Sequence, residues 1–343
     1  MSVDSTYLSL ADGSESLSQA DVETAVEYAF GHRKVSIQEF LSNYSLPTTG
    51  KKDELREAVV KGIKDGDIPR EDIIAFLDSL EGWGNQHIYL FKSSDKLMKQ
   101  WKVESNVKQI LDEAEVGELL NSRRPLVLPD EPTLSSIEWT KKRVRFVWVD
   151  KREWQDRMEE EDDESEDGQI IYKAYRQQVT RGITSFDWNL VSGEAALMIQ
   201  TLPRGENYDE IRQVYEDELS AFFDFSDFAR RRITKAIKKL EASKEALNRK
   251  IELATRTGAI AAYTSKGRKT DAYADEDIKK SRTALGQRTT SRAGNFYFQP
   301  SKNGLTRTIH VKLYAADQRV GIFGECTEQE VGHVLSRIRQ HIK

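Results

Sequence analysis

The sequence predicts an α+β fold: an N-terminal helical module followed by a mixed, largely antiparallel sheet with long helices on one side. Three observations carry this expectation. Helix-period apolar stripes fill the early chain, with Leu55, Val59 and Ile63 recurring at four-residue intervals. Strand-like runs follow at Val144 to Val149, Gln169 to Val179, Ile183 to Val191 and Glu194 to Leu202. These runs succeed one another without intervening helices, which argues against the alternation of a parallel Rossmann sheet.

With 343 residues, the chain exceeds the size at which a single core usually stops growing, so two or three domains are expected. The divisions read as a flexible Ser/Asp/Gly-rich stretch over 1–20, a helical domain over 21–92, a helical connector and linker over 93–132, and an α+β domain over 133–343. Six Trp, thirteen Phe and twelve Tyr supply core material, while 32% charged residues describe a very polar surface. No apolar run approaches the roughly 18 residues of a membrane span, and the start MSVDSTYLSLADGSES has neither a basic nor an apolar signal region. A cytoplasmic location is expected, in the nucleoid or, in a eukaryote, the nucleus. The single cysteine, Cys326, and five scattered histidines offer neither an internal disulfide nor zinc-like spacing, so no metal or cofactor is expected.

In chain order, a short helix spans about Asp21 to Phe30. A second starts at Ser36, where Ser36 and Glu39 read as a capping box ahead of Phe40 and Leu41. After Leu46-Pro47-Thr48-Thr49-Gly50 a third helix runs from Lys51 to about Ile63. A fourth, Arg70 to Leu80, turns Ile73, Ile74 and Leu77 inward, and Gly82-Trp83-Gly84 ends it before a strand at His87 to Phe91. Residues 95–122 read as helix, and the Pro-containing passage 125–132 as linker. Ser192-Gly193 signals a two-residue hairpin. Eight acids in the nine positions 159–167 cannot pack and read as a solvated loop. Ile233, Ile237, Leu240, Lys244, Leu247, Ile251 and Ala254 form a heptad-like seam, placing one long basic helix over about 208–256. A polar loop over 264–292 precedes strands at Asn295 to Gln299, Arg307 to Tyr314 and Arg319 to Phe323. The last helix opens with the capping box Thr327 to Glu330 and presents Val331, Val334, Leu335, Ile338 and Ile342 to the sheet.

The chain carries net charge −5, which is unusual for a nucleic-acid binder, yet its charges are segregated. Residues 33–64 hold seven Lys/Arg against four acids, and 229–250 hold nine against two. At Gly50-Lys51-Lys52 an extended link enters a helix, where free backbone N–H groups and the positive dipole end favour an anion. Thr49, Gly50, Lys51, Lys52 and Arg56 are the candidate phosphate contacts. Arg230, Arg231, Arg232, Lys235, Lys238 and Lys239 form a candidate second DNA surface, or else the solvated face of a packed helix.

The segment SIQEFLSNYSLPTTGKKDELREAVVKGI resembles the SAP motif, a helix-extended-helix DNA-binding module. Phe40 and Leu41, Leu46-Pro47, Gly50-Lys51-Lys52, and Leu55 with Val59 carry the resemblance, and Ser45 stands where the family usually has glycine. The resemblance implies binding of duplex DNA through backbone and minor groove with weak sequence preference. In the order of its parts the chain is also similar to kinetochore proteins of the centromere protein N class, which would imply DNA backbone recognition.

Other chemistry is less pronounced. Gly321-Ile-Phe-Gly324 is neither a dinucleotide fingerprint nor a P-loop. Cys326 would need His310 or His333 to act as a nucleophile, and strand alternation turns His310, Lys312 and Tyr314 away from the core. Trp83 reads as an anchor between domains, or as a contact site. Asp150, Lys151, Lys173 and Asp187 are the residues from which a metal-dependent nuclease site could be assembled. The leading expectation is a non-catalytic DNA-binding or adaptor protein with duplex DNA and a protein as partners and no membrane association. The alternatives are a DNA-processing hydrolase delivered by the helical module, and a protein-binding scaffold.

Overall fold

A computed structural model of the chain describes residues 8–11, 17–164, 171–203, 206–243, 245–255, 257–266, 270–285, 289–300 and 305–342. A short strand β1 (Ser9–Leu10) precedes four helices: α1 (Gln19–Gly31), α2 (Lys34–Asn43), α3 (Lys52–Asp65) and α4 (Arg70–Glu81). Ser18 caps α1, its hydroxyl accepting from the Asp21 N–H at 3.1 Å while the Asp21 carboxylate accepts from the Ser18 N–H. The capping box expected at Ser36 does not form. Helix α2 begins two residues earlier, after Arg33, and buries Ile37, Phe40 and Leu41. Leu55 and Val59 of α3 meet Ile73, Ile74 and Leu77 of α4 in one core, where the rings of Phe40 and Phe76 stack 4.3 Å apart. Gly66, with φ of 84°, closes α3 in the left-handed conformation that glycine adopts most readily.

The rest of the chain builds the sheet and its covering helices. In order these are β2 (Gln86–Ser93), α5 (Asp95–Trp101), α6 (Glu104–Glu113), β3 (Ser122–Arg123), β4 (Thr133–Thr140), β5 (Arg143–Arg157), β6 (Asp163–Glu164), β7 (Ile171–Tyr172), β8 (Tyr175–Asn189) and β9 (Glu194–Gln200). Then come α7 (Tyr208–Leu219), β10 (Phe228–Arg230), α8 (Thr234–Ala242), β11 (Ala246–Ala254), β12 (Ile260–Thr264), α9 (Glu276–Ala284), β13 (Thr290–Phe298), β14 (Ile309–Tyr314), β15 (Arg319–Phe323) and α10 (Glu328–Ile342). Among the described residues thirteen strands form one sheet, in the order β1-β3-β4-β5-β8-β9-β2-β15-β14-β13-β11-β12 with β10 paired to β2. The strand pairs are antiparallel except β1 with β3, which makes the sheet mixed and the class α+β.

Strand β2 was expected to close the helical domain. Instead it lies mid-sheet, between β9 and β15, and its alternating residues serve two cores. Tyr89 and Phe91 point into an aromatic cluster with Trp101, Phe146, Trp148, Trp188 and Tyr215, roofed by α5, α6 and α7. Ile88 and Leu90 point the other way, into a cluster with Ile237 and Leu240 of α8 and Val331, Val334 and Leu335 of α10. Helices therefore lie on both faces, where the sequence suggested one.

The expected long helix over 208–256 is replaced by α7, β10, α8 and β11. Ile233, Ile237 and Leu240 do mark a helical stripe, but Leu247 and Ile251 belong to a strand, where a bulge between Asn248 and Lys250 turns them to opposite faces. Lys244 lies outside the described residues. The run expected at 169–179 is divided, with Ile171–Tyr172 in β7 and the part from Tyr175 continuing through Gly182 into the run expected at 183–191 as the single strand β8; at Gly182 a Cβ would meet the side chains of Asp150 and Arg152. The Ser192-Gly193 turn is longer than two residues: Trp188 pairs with Ala195, and the Asn189 side chain accepts from the N–H groups of Val191 and Ser192. Within the 264–292 stretch, expected to be a loop, α9 forms, capped by Asp275. Near the N-terminus, expected to be loose, Ser9 and Leu10 pair with β3. The acidic run begins with a helical turn at Glu159–Glu161, and Asp162 pairs with Arg157; residues 165–170 lie outside the described residues. No helix among the described residues is long and apolar enough to cross a membrane.

Candidate nucleic-acid interface

Helix α2, the link 44–51 and α3 form a helix-extended-helix unit. The link is pinned from both sides, as Leu46 N–H donates to the Leu41 carbonyl at 3.1 Å and Gln38 Nε2 donates to the Thr48 carbonyl at 2.7 Å. Gly62 lets α3 approach it, since a Cβ there would stand 2.8 Å from Leu46 Cδ1. Ser45 takes φ of 54°, the left-handed conformation in which glycine is least strained.

At the start of α3, the expected phosphate site, one backbone donor is engaged within the chain. Glu54 Oε2 accepts from the Lys51 N–H at 2.8 Å, and Gly50, at φ of 134°, is needed because any Cβ would strike that carboxylate. The Lys52 ammonium is also engaged, donating to the His32 carbonyl at 2.7 Å. Thr49 and Lys51 are exposed on the link. Arg56 lies further along α3, in a shallow groove lined also by Glu57, Val60, Lys61, Lys64 and Asp65. Among the described residues Lys51, Arg56, Lys61 and Lys64 make no ion pair, and the acids nearest them in sequence stay unpaired with them.

The second basic segment is divided. Arg230 lies 4.9 Å over the Tyr89 ring, 3.7 Å from Asp209, and donates to the Asp317 carbonyl. Arg231 pairs with Glu194 at 3.3 Å. Arg232, Lys235, Lys238 and Lys239 are exposed, the lysines on the outer face of α8, whose Ala236, Ile237 and Leu240 are buried.

The nuclease constellation does not assemble. Asp150 stands opposite Gly182 and Asp187 opposite Arg145, five residues apart on β8 or about 17 Å along the strand. Asp150 pairs with Arg152 at 3.1 Å, Asp187 grips Arg143 through both oxygens at 2.8 and 3.0 Å, and Lys151 binds Asp130 at 2.6 Å. Lys173 is exposed between β7 and β8. Burial pushes the Cys326 thiol up to about 11, and its hydrogen-bonding neighbour is Arg307 rather than a histidine. Trp83 is buried beneath the Arg145 guanidinium at 4.1 Å, where it fastens the end of α4 to the sheet.

Sequence reading passed over a further surface. On the sheet face opposite α8 and α10, strands β11, β13, β14 and β15 present Arg249, Asn295, Tyr297, His310, Lys312, Tyr314, Arg319 and Phe323. Buried His87 borders it and accepts at Nδ1 from Arg319 at 2.9 Å. Burial first, then Arg319 and Lys312, lower the His87 pKa to about 3, so this imidazole is neutral. The outward alternation of His310, Lys312 and Tyr314 was the signal that could have found it.

No protein-family model matches this chain, and no curated protein matches it.

Proposed function

We propose that this is a non-catalytic DNA-binding or adaptor protein that holds duplex DNA through its backbone phosphates, with little sequence specificity, using α2 and α3 as a SAP-like module. The observation that carries the reading is the uncommitted charge of α3. Arg143, Arg152, Arg181, Arg212 and Arg231 all spend their guanidinium groups on carboxylates within the fold. Among the described residues the cationic groups of Lys51, Arg56, Lys61 and Lys64 make no ion pair, although Glu57 and Asp65 line the same groove. Duplex phosphates would give these cations direct partners. Contacts of this kind position a protein without distinguishing bases. The contact surface is the exposed side of α3 rather than its capped N-terminus.

The test is a salt titration of duplex affinity. Reversing Arg56 and Lys61 to Glu should weaken binding on every sequence alike and flatten the slope of log affinity against log salt by about 1.8, if each cation holds one phosphate. Lys52→Gln should leave that slope unchanged, its ammonium being held by His32. Unaltered affinity in the α3 variant, with loss on reversing Arg232, Lys235 and Lys238, would move the duplex surface to α8.

A further inference from the structure

The two ends of the sheet differ. At one end stands β1, a strand of 2 residues, and at the other β12, which pairs with β11 over its whole length without a bulge. A regular edge invites a further strand, and proteins usually blunt such edges with charge, proline, a bulge or extreme shortness. The segment 257–265 reads Thr-Gly-Ala-Ile-Ala-Ala-Tyr-Thr-Ser and uses none of these devices. Lys250 and Glu252 of β11, beside Thr264 and Ala262, pair with each other at 2.6 Å.

The backbone of this edge faces outward in a defined pattern. Thr255 N–H donates to the Ala259 carbonyl and Ser265 N–H to the Arg249 carbonyl, so the odd-numbered residues of β12 bond inward. By the alternation of an antiparallel pair, the N–H and C=O groups of Ile260, Ala262 and Thr264 point away from β11, where no other strand among the described residues meets them. A second observation concerns the other face of the same strand. Ile251, Leu253 and Ala272 form a small core under α9, and Tyr263, Tyr273 and Ile278 are only partly buried against it. Tyr263 is hydrogen-bonded to Ser281 Oγ at 2.9 Å, and this core lies open at the sheet edge. Ile260, on the opposite face, is 51% exposed.

We propose that β12 is the interface between two copies of this chain, paired antiparallel about a twofold axis at Ala262. A twofold sets each residue opposite its mirror along the strand, so charges near the axis would repel. Here Ala262 meets Ala262, Ile260 meets Thr264, and Ala261 meets Tyr263, small against large on both sides of the axis. The exposed Lys266 meets Gly258. Under α9 the row of Ile251 and Tyr263 continues into Ala261 and Leu253 of the second copy, and its twofold mate runs the other way. Two open clusters thus close on each other, as in interfaces that resemble a core cut in half. An unrelated extended segment would use the same backbone groups, but the copy also supplies the apolar row that Tyr263 lacks. A dimer presents α3 twice, so a duplex reaching both would be held with avidity. The pairing itself does not rest on what α3 binds.

The full chain should pass from monomer to dimer in sedimentation velocity as its concentration rises through the micromolar range. Hydrogen exchange of the unaltered protein, read by mass spectrometry, should slow for peptides containing 260–264 at the upper end of that range, and this arm needs no variant to fold. Ala262→Lys, at an exposed position of the strand, sets two ammonium groups against each other and should raise the dimer dissociation constant roughly ten-fold. Ala262→Cys should give a disulfide-linked dimer with copper phenanthroline, because the paired Cα atoms stand about 5.5 Å apart. Thr264→Cys should not, its two Cα atoms being about 14 Å apart. Cys326 is buried and stays as it is. A chain that remains monomeric, a dimer indifferent to Ala262→Lys, or linkage through Thr264→Cys in place of Ala262→Cys would each overturn the proposal, the first leaving the edge to an extended segment of another protein.

Discussion

Arg181 on β8 and Arg56 on α3 carry the same guanidinium into opposite circumstances. Arg181 is fully buried, with Glu81 at 2.5 Å, Asp78 also in contact and the Leu126 carbonyl at 3.1 Å, and it clamps α4 to the sheet. Arg56 is exposed, and no carboxylate claims it among the described residues. The contrast separates cations that hold the fold together from cations left for something else. It also shows why charge surplus along the sequence misleads. The segment 229–250 has the larger excess, yet Arg230 and Arg231 are engaged by Asp209, Asp317 and Glu194.

The sharpest test of that contrast is Arg181→Ala. It strands Asp78 and Glu81 without their partner and should cost about 3–5 kcal/mol in urea unfolding. Nucleic-acid affinity of the folded protein should be unchanged. A loss of affinity at constant folding would dissolve the division between the two kinds of cation.

A committed carboxylate supplies the next test. Glu241 on α8 is only 3% exposed, between Arg282 of α9 at 3.4 Å and Ser291 of β13 at 3.5 Å. Burial pushes its pKa up to about 7, outweighing Arg282, Ser291 and Lys238, which pull it down. A carboxyl whose pKa is raised on folding binds its proton more tightly in the native state. Its contribution is therefore complete below the unfolded value near 4.5 and is lost as pH rises toward 7. The loss should be on the order of 2–3 kcal/mol. Glu241→Gln should remove that slope from stability measured between pH 4.5 and 7, as the difference between variant and parent. Identical slopes would show that Arg282 keeps the carboxylate charged throughout.

Both residues also mark what the sequence could and could not disclose. Helix α10 was legible because the Thr327 and Glu330 cap, observed at 3.0 and 3.2 Å, and the stripe of Val331, Val334, Leu335 and Ile338 agree. Strand β14 was legible from its alternation, with Ile309, Val311 and Leu313 buried. The break between α8 and β11 was not, since neither glycine nor proline stands at 243–245 and Leu240 and Leu247, seven residues apart, keep a heptad spacing across it. Gly182 misled in the opposite sense: a residue that usually signals interruption is here the space into which Asp150 and Arg152 pack. The site was half legible. Local charge located the cations of α3, but the capture of the helix start by Glu54, of Lys52 by His32, and of Arg181 by residues a hundred positions away depends on contacts that no local pattern encodes.

The smallest effect examines the link rather than the charges. Ser45 holds φ of 54° with its N–H donating to the Ser42 carbonyl at 3.1 Å, and its exposed hydroxyl makes no hydrogen bond among the described residues. Left-handed geometry costs a residue with a Cβ about 1–2 kcal/mol, a cost glycine does not carry. Glycine in turn gives the unfolded chain more freedom, which offsets about 0.4–1 kcal/mol of the gain. Ser45→Gly should therefore stabilise the protein by about 0.5–1 kcal/mol in urea unfolding. Because no cation moves, duplex affinity and its salt slope should stay as in the parent protein. If affinity changed while stability rose as expected, the conformation of the link, and not the free charge on α3, would govern what this module holds.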